Sequence, residues 1–325
     1  MALTPKDSKH ALQIQAGIIG RIEGHKFETN LAQAINNLHL PVSQNPLPEN
    51  LINGNPEISI IKKSLEVLGW KKCDKVEAIA LGILATADGG KQWLEVNGMK
   101  VKACKSDILL TLYNNELNSI ETIGVSVKQC SKKTPTNAQL FFTTARAFCE
   151  LLRNNGIPVS DVAVNALRQF CGDNGFAPKD NTCDIFGRLT DPRRYFWEEI
   201  NTEGRKELEF IFTKNQNKIT RLLLQKAYIN DPFTPELLLH LTKKMPENQA
   251  QEFALYTIDE LIDFSCNYSG FEKKKYSVRK GSYKDPIGIQ HDAPRFGIVQ
   301  MQRGGQAQHP EQLQFNLQAG YFYKI

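Results

Sequence analysis

The apolar positions of this chain follow two periods, and the period changes along its length. Residues 1–70 read as mainly helical, interrupted by a Pro/Asn-rich loop at 41–56. Residues 76–130 are rich in β-branched and aliphatic side chains and predict strands at 78–84, 92–96, 107–112 and 120–129. Thr134-Pro-Thr-Asn137 then has cap and first-turn chemistry, and Leu140, Phe141, Ala145, Phe148, Leu151 and Leu152 follow at helical spacing. From 160 to 266 the pattern reads as helical throughout, with runs at 203–228, 235–244 and 247–266. Near the end, 295–303 alternates like a half-buried strand with Phe296, Ile298 or Val299 inward. Gly304-Gly305 turns the chain, and a last apolar strand is expected at 320–325. No internal repeat is present. The expected division is a first part at 1–155, a helical region at 156–268 and a basic strand and loop segment at 269–325.

Composition narrows the class. At 325 residues and 41% hydrophobic content, the chain can bury a sizeable core. No apolar stretch approaches the ~20 residues that cross a bilayer, and the N-terminus lacks the apolar segment of a signal peptide. The seven cysteines are scattered, with no CxxC pair and no zinc spacing, which fits reduced thiols in a cytoplasmic protein. Phosphate loops, dinucleotide fingerprints and HExxH are all missing, and His291-Asp292 lacks the further ligands of a metal phosphohydrolase.

Charge is uneven. The net charge is +5, and residues 271–303 alone carry eight Lys or Arg against three acids. Smaller basic groups occur at Lys71, Lys72 and Lys75, at Lys100, Lys102 and Lys105, and at Lys128, Lys132 and Lys133. The last two flank a candidate site and suit a polyanion.

That site begins with Lys105-Ser-Asp107, where a carboxylate opens an apolar run. After a polar turn carrying Asn114, Asn115 and Asn118, the second run contains Ser126-Val-Lys128. In adjacent antiparallel strands Asp107 and Lys128 come side by side, and Ser126 and Lys128 share a face. A surface ion pair accounts for the two residues equally well. So does a phosphodiester-cleaving site, in which a carboxylate holds a divalent cation beside an ammonium that steadies a water. Cys104 and Cys130 lie close by and read as packing residues rather than nucleophiles.

These residues resemble the core of the PD-(D/E)XK nucleases, and most closely its type II restriction endonucleases. Lys-Ser-Asp107 stands for the first half of the motif and Ser126-Val-Lys128 for the second. Gly24-His-Lys-Phe-Glu28 opens a segment, running to about Leu38, that resembles the family's first core helix, and the likeness covers roughly residues 20–155. The sequence departs from the pattern at Ser126, where the family has an acid. Glu28, or else Asp88 or Glu95, would then supply the second carboxylate. The resemblance implies an α/β fold: a mixed sheet flanked by helices, with a large helical insertion and C-terminal strands. It further implies Mg2+ held by Asp107, Glu28 and the Val127 carbonyl, a water activated by Lys128, and a homodimer cutting double-stranded DNA. A repair or structure-specific nuclease of the same fold, or a DNA-binding protein with a decayed centre, is the alternative.

The C-terminal tract offers the chemistry of recognition. Seven glutamines occupy 300–318, and amides match adenine's major-groove edge as guanidinium matches guanine's. Arg303, Gln302, Gln306, Gln308, His309 and Gln312 are the expected base contacts. Lys132, Lys133, Lys274, Arg279 and Lys280 are the expected phosphate contacts, with Arg193 and Arg194 as further candidates.

Overall fold

The computed structural model describes residues 8–44, 47, 50–82, 94–96, 99–101, 104–130, 137–178, 194–226, 231–242, 252–277, 290–303 and 312–318. In chain order the main elements are α1 (Ser8–Asn36), β1 (Leu51–Asn53), α2 (Glu57–Leu68), β2 (Lys75–Ala80), β3 (Ile108–Asn114), β4 (Ser119–Cys130) and β5 (Ala138–Thr144). There follow α3 (Ala145–Asn154), α4 (Asp161–Cys171), α5 (Thr202–Lys214), α6 (Gln216–Gln225), β6 (Pro235–Thr242), β7 (Glu252–Thr257) and α7 (Ile258–Cys266). The last four are β8 (Glu272–Ser277), β9 (Gln290–Phe296), β10 (Val299–Arg303) and β11 (Gln312–Leu317). The fold is mixed α/β.

Two compact units form, interleaved in sequence. The first comprises 1–136, 225–260 and 322–325, the second 137–224 and 261–321. These divisions run differently from the expected boundaries at 155 and 268. The chain leaves the first unit after β4 and returns to it for β6, which pairs parallel with β4.

The first unit is built on a six-stranded sheet ordered β1-β7-β6-β4-β3-β2, mixed because only the β4–β6 pair is parallel. One face buries Val76, Ala78, Ile108, Leu110, Leu112, Ile123, Val125 and Val127 against Leu31 and Ile35 of α1 and Ile60, Ile61 and Leu65 of α2. Burial of such side chains contributes roughly 1.5–3 kcal/mol each. Asn36, at the end of α1, locks the helix to the sheet edge. Its Nδ2 donates to Ala78 O at 3.0 Å, and its Oδ1 accepts from Ala78 N at 2.7 Å. The second face carries a smaller apolar group of Leu81, Leu109 and Phe233 with Cys104 packed on it.

The second unit carries a wholly antiparallel sheet ordered β8-β9-β10-β11-β5. Phe148, Phe212, Phe296 and Phe315, all fully buried, form its aromatic centre, with Phe148 and Phe315 centroids 4.8 Å apart. Such contacts add about 0.5–1.5 kcal/mol beyond area burial.

Several sequence expectations need correction. Residues 235–242 and 252–257 are strands, not helices. Their apolar runs, Leu237-Leu-Leu239 and Phe253-Ala-Leu255, are fully buried in the sheet, and a short continuous apolar run looks alike in a buried strand and a buried helix. Residues 138–144 are likewise a strand. The helix begins at Ala145, capped by Thr144, whose side chain accepts from Ala147 N at 3.2 Å. The run at 203–228 is two helices that part at Asn215. The strand expected at 320–325 lies outside the described residues. Among the described residues no helix is long and apolar enough to cross a membrane.

Candidate active site

The local fold explains why the charges meet. Asp107 stands one residue before β3, with its backbone held on both sides: Asp107 N donates to Val125 O at 2.9 Å, and Leu81 N donates to Asp107 O at 2.8 Å. The β3–β4 ladder ends at the pair Ile108 and Val125. Beyond that point β4 has no strand partner on this side, so side chains take over its polar groups. The Asp107 carboxylate accepts from Val127 N at 2.6 Å, and the Lys128 ammonium donates to Val127 O at 3.0 Å.

Asp107 Oδ2 also accepts from Ser126 Oγ at 3.2 Å and from Lys128 Nζ at 3.2 Å. Three donors thus converge on one oxygen, which sets the carboxylate's orientation. Among the described residues Oδ1 takes none of these bonds. The expected juxtaposition of Asp107, Ser126, Val127 and Lys128 is therefore present. Side-chain exposures of 24% for Asp107 and 17% for Lys128 leave the pair reachable from solvent.

Glu28 is the acid that α1 brings in. It lies three and four residues before Leu31 and Ala32, on the helix face packed against the sheet. It is buried, and its Oε2 has no hydrogen-bond partner among the described residues. Burial pushes its carboxyl up to about 7, and the negative charge of Asp107 adds to this while Lys128 opposes it. Gly82 makes room for it: a Cβ there would collide with Glu28 Oε2 and press on the His25 ring.

Further groups complete the electrostatics. Lys105 is buried, and desolvation pushes its ammonium down to about 7; Lys128 contributes in the same direction, while Asp107 and Asp231 oppose it. Asp231 Oδ2 accepts from Lys105 N at 2.7 Å, and its Oδ1 accepts from Phe233 N at 3.1 Å. Ser106 Oγ donates to Phe233 O at 2.7 Å, so the bend carrying Asp107 is tied to the segment leading into β6. Burial and then Asp231 and Asp107 push the Cys104 thiol up to about 12, which makes it a packing residue and no nucleophile. The His25 imidazole is shifted down by burial and Arg21, with Asp107 opposing.

Asp231 and Gly82 were not expected at the site. Lys105 opens the expected motif and its basic group flanks it, and His25 belongs to the expected helix, but neither carried an expected role. Asp231 and Gly82 reach the site through tertiary contacts that no local pattern announces.

The donor set suits Mg2+, which prefers oxygen ligands and is commonly held by one or two carboxylates with waters completing its shell. Glu28 Oε2 is a buried oxygen without a partner among the described residues, and the Asp107 carboxylate and Val127 carbonyl, both hydrogen-bonded, add two further oxygen donors. No group of three or more His, Cys, Asp or Glu that could hold a metal occurs among the described residues.

The expected DNA contacts fare unequally. Arg303 is corrected: it is buried, with its guanidinium 4.7 Å from the Phe196 ring centroid and 5.6 Å from that of Phe170, and Nη1 donates to Tyr195 O at 3.2 Å. It is a core cation, because it shares the inward face of β10 with Val299 and Met301. Arg194 is buried as well. Gln302 and Gln312 are half-buried on the opposite face of the sheet, and Lys274 is exposed on β8. Lys132, Lys133, Arg193, Arg279, Lys280, Gln306, Gln308, His309 and Asp88 lie outside the described residues, as does the side chain of Glu95.

No protein-family model matches the chain, and no curated protein matches it. Among solved structures it is similar to the restriction endonuclease MspI in complex with its cognate DNA, with a TM-score of 0.41 and 12% identity, covering 80% of this chain and 78% of that one.

Proposed function

We propose that this protein is a cytoplasmic, Mg2+-dependent, site-specific DNA endonuclease of the type II restriction class, acting as a homodimer on double-stranded DNA. The observation that carries this reading is the cluster at the end of the β3–β4 ladder. There the Asp107 carboxylate and Lys128 ammonium meet over the Val127 backbone, and α1 brings in a Glu28 oxygen that has no partner among the described residues.

In this reading Asp107, Glu28 and the Val127 carbonyl hold the ion. The bound ion would supply Lewis-acid stabilisation of charge on the scissile phosphate and lower the pKa of a water. Lys128 would orient that water through its ammonium and stabilise the hydroxide that forms as the water's proton passes to solvent. Ser126 supplies no charge; it donates to Asp107 and holds the carboxylate in place. Lys105, buried beside Asp107 and Lys128, adds positive potential where phosphate would dock. Lys274 and the other lysines of the second unit supply phosphate contacts, and Gln302 and Gln312 face the bases.

A digest of plasmid DNA with Mg2+ tests the proposal. Discrete fragments are expected. Smears or structure-dependent nicks would instead indicate a repair-type nuclease, and retarded but intact DNA a binding protein without catalysis.

A further inference from the structure

The second unit carries a feature that cleavage chemistry does not require. On β10, Val299 and Met301 are fully buried while Gln300 and Gln302 point to the other face, and β11 alternates in the same way from Gln312 to Phe315, after which Asn316 is buried beneath its neighbouring amides. The register sets Gln302 opposite Gln314 and Gln300 opposite Asn316. A bulge between Phe315 and Asn316 then brings Phe142 beside Gln314 and Gln139 beside Asn316 on β5. The result is two rows on one face: Gln302, Gln314, Phe142, and Gln300, Asn316, Gln139.

The amides bond one another in a single chain. Gln318 Nε2 and Gln302 Nε2 each donate to Gln300 Oε1 at 3.0 Å, and Asn316 Nδ2 donates to Gln302 Oε1 at 3.2 Å. Gln314 Nε2 donates to Asn316 Oδ1 at 2.9 Å and to Gln139 Oε1 at 3.4 Å. Four groups along this chain take no partner among the described residues: the amide nitrogens of Gln300 and Gln139 and the carbonyl oxygens of Gln314 and Gln318. Asparagine is depleted in strands, so solubility alone is a poor reason for such a face. Mutual bonding holds flexible side chains in place before any ligand arrives, which lowers the entropy cost of binding.

We infer that this amide face of β5, β10 and β11 reads A·T base pairs in the major groove of duplex DNA. The inference rests on the DNA-directed reading above and names the bases selected. Adenine presents an acceptor and a donor side by side, N7 and N6–H2, and the face leaves complementary groups for them, donors on Gln300 and Gln139 and acceptors on Gln314 and Gln318. Guanine presents two acceptors and calls for a two-donor fork. The guanidinium of Arg303 is turned into the core, and that of Arg295, opposite Gln300, donates to Gly297 O at 3.0 Å. Phe142, 36% exposed beside Gln314, offers the apolar contact that a thymine methyl takes. Along one edge of the sheet β8 presents exposed Lys274 on the face that Gln300, Arg295 and Glu272 share by register, which supplies charge for a phosphate without intruding on the neutral centre.

The test is selection from a pool of randomised duplexes in Ca2+, followed by binding of the selected and scrambled duplexes. Wild type should enrich A·T pairs at fixed positions. The double variant Gln302→Ala/Gln314→Ala should lose that preference by roughly 5- to 150-fold per affected position while keeping its grip on random DNA. Gln300→Glu guards against misfolding, since a carboxylate there still accepts from Gln302 and Gln318 and loses only the outward donor. It should shift preference from adenine towards cytosine, whose N4 donates to carboxylates. If both variants enrich the wild-type sequence, or wild type selects only G·C pairs, the amide face is not the reader and the nuclease proposal stands. If wild type retains no duplex at all, both fall.

Discussion

The two units hold their buried charges in different company. In the first, four ionisable groups (Glu28, Lys105, Asp107 and Lys128) crowd one end of a sheet, and one carboxylate oxygen stays unpartnered among the described residues. In the second, buried charges lie against aromatic rings. Arg303 lies over Phe196 and donates to Tyr195 O, and His291 stacks on Phe196 with its Nδ1 2.9 Å from Glu198 Oε1. The outward amides of that unit bond one another. Incomplete compensation is costly unless a ligand completes it, so in the proposed nuclease this is where the ion and the phosphate would bind. Arg303, packed on Phe196 and bonded to the Tyr195 carbonyl, belongs to the scaffold.

The sharpest break in this contrast comes from the first unit. Asp107→Ala and Lys128→Ala should each lower cleavage on the order of 10³-fold or more, as losses of groups that act on the ion or the water do. DNA binding in Ca2+ should survive. Near-normal cutting by either variant would place the chemistry elsewhere.

Arg303→Ala should act on the fold rather than on base choice. Removing a buried guanidinium leaves a void and the Tyr195 carbonyl without its donor, a loss of roughly 2–4 kcal/mol in stability. Chemical denaturation would measure it, and competition between duplexes should show unchanged preference. A stable variant with altered preference would return Arg303 to the reading surface.

Glu28 should make the metal-free protein pH-dependent. Its carboxyl, at about 7 in the folded state against an ordinary 4.5, holds its proton more tightly when folded. The stabilisation is full below 4.5 and is lost as pH rises through about 7, on the order of 3 kcal/mol at most. Glu28→Gln should flatten that profile in denaturation curves without Mg2+ and raise the Mg2+ needed for cutting. A wild-type profile already flat across this range would remove Glu28 from the site.

The smallest effect should come from the edge of the second unit. Lys274 is exposed and pairs with Glu272 at 2.5 Å, so Lys274→Ala should weaken binding to selected and random duplexes alike and reduce the salt slope by about one. Loss confined to selected DNA would make Lys274 a base contact.

The sequence by itself determined the pairing at the first site. Two apolar runs joined by a polar turn place Asp107 beside Lys128, and the two-residue period puts Ser126 and Lys128 on one face, because hairpin register is a local property. The same period already held the answer for Arg303. If Val299 is inward, Met301 and Arg303 are inward too; the glycines that follow Arg303 suggest a backbone close to DNA, but they do not change the face its side chain takes. Only the tertiary structure decided that 235–242 and 252–257 are strands, since their apolar runs are hidden on both sheet faces and carry no alternation. It alone brought Glu28 under Gly82, Asp231 to Lys105, and Gln139 and Phe142 beside Asn316 and Gln314. Those contacts join residues far apart in the chain, and packing between distant segments, which leaves no periodic trace in sequence, is what selects them.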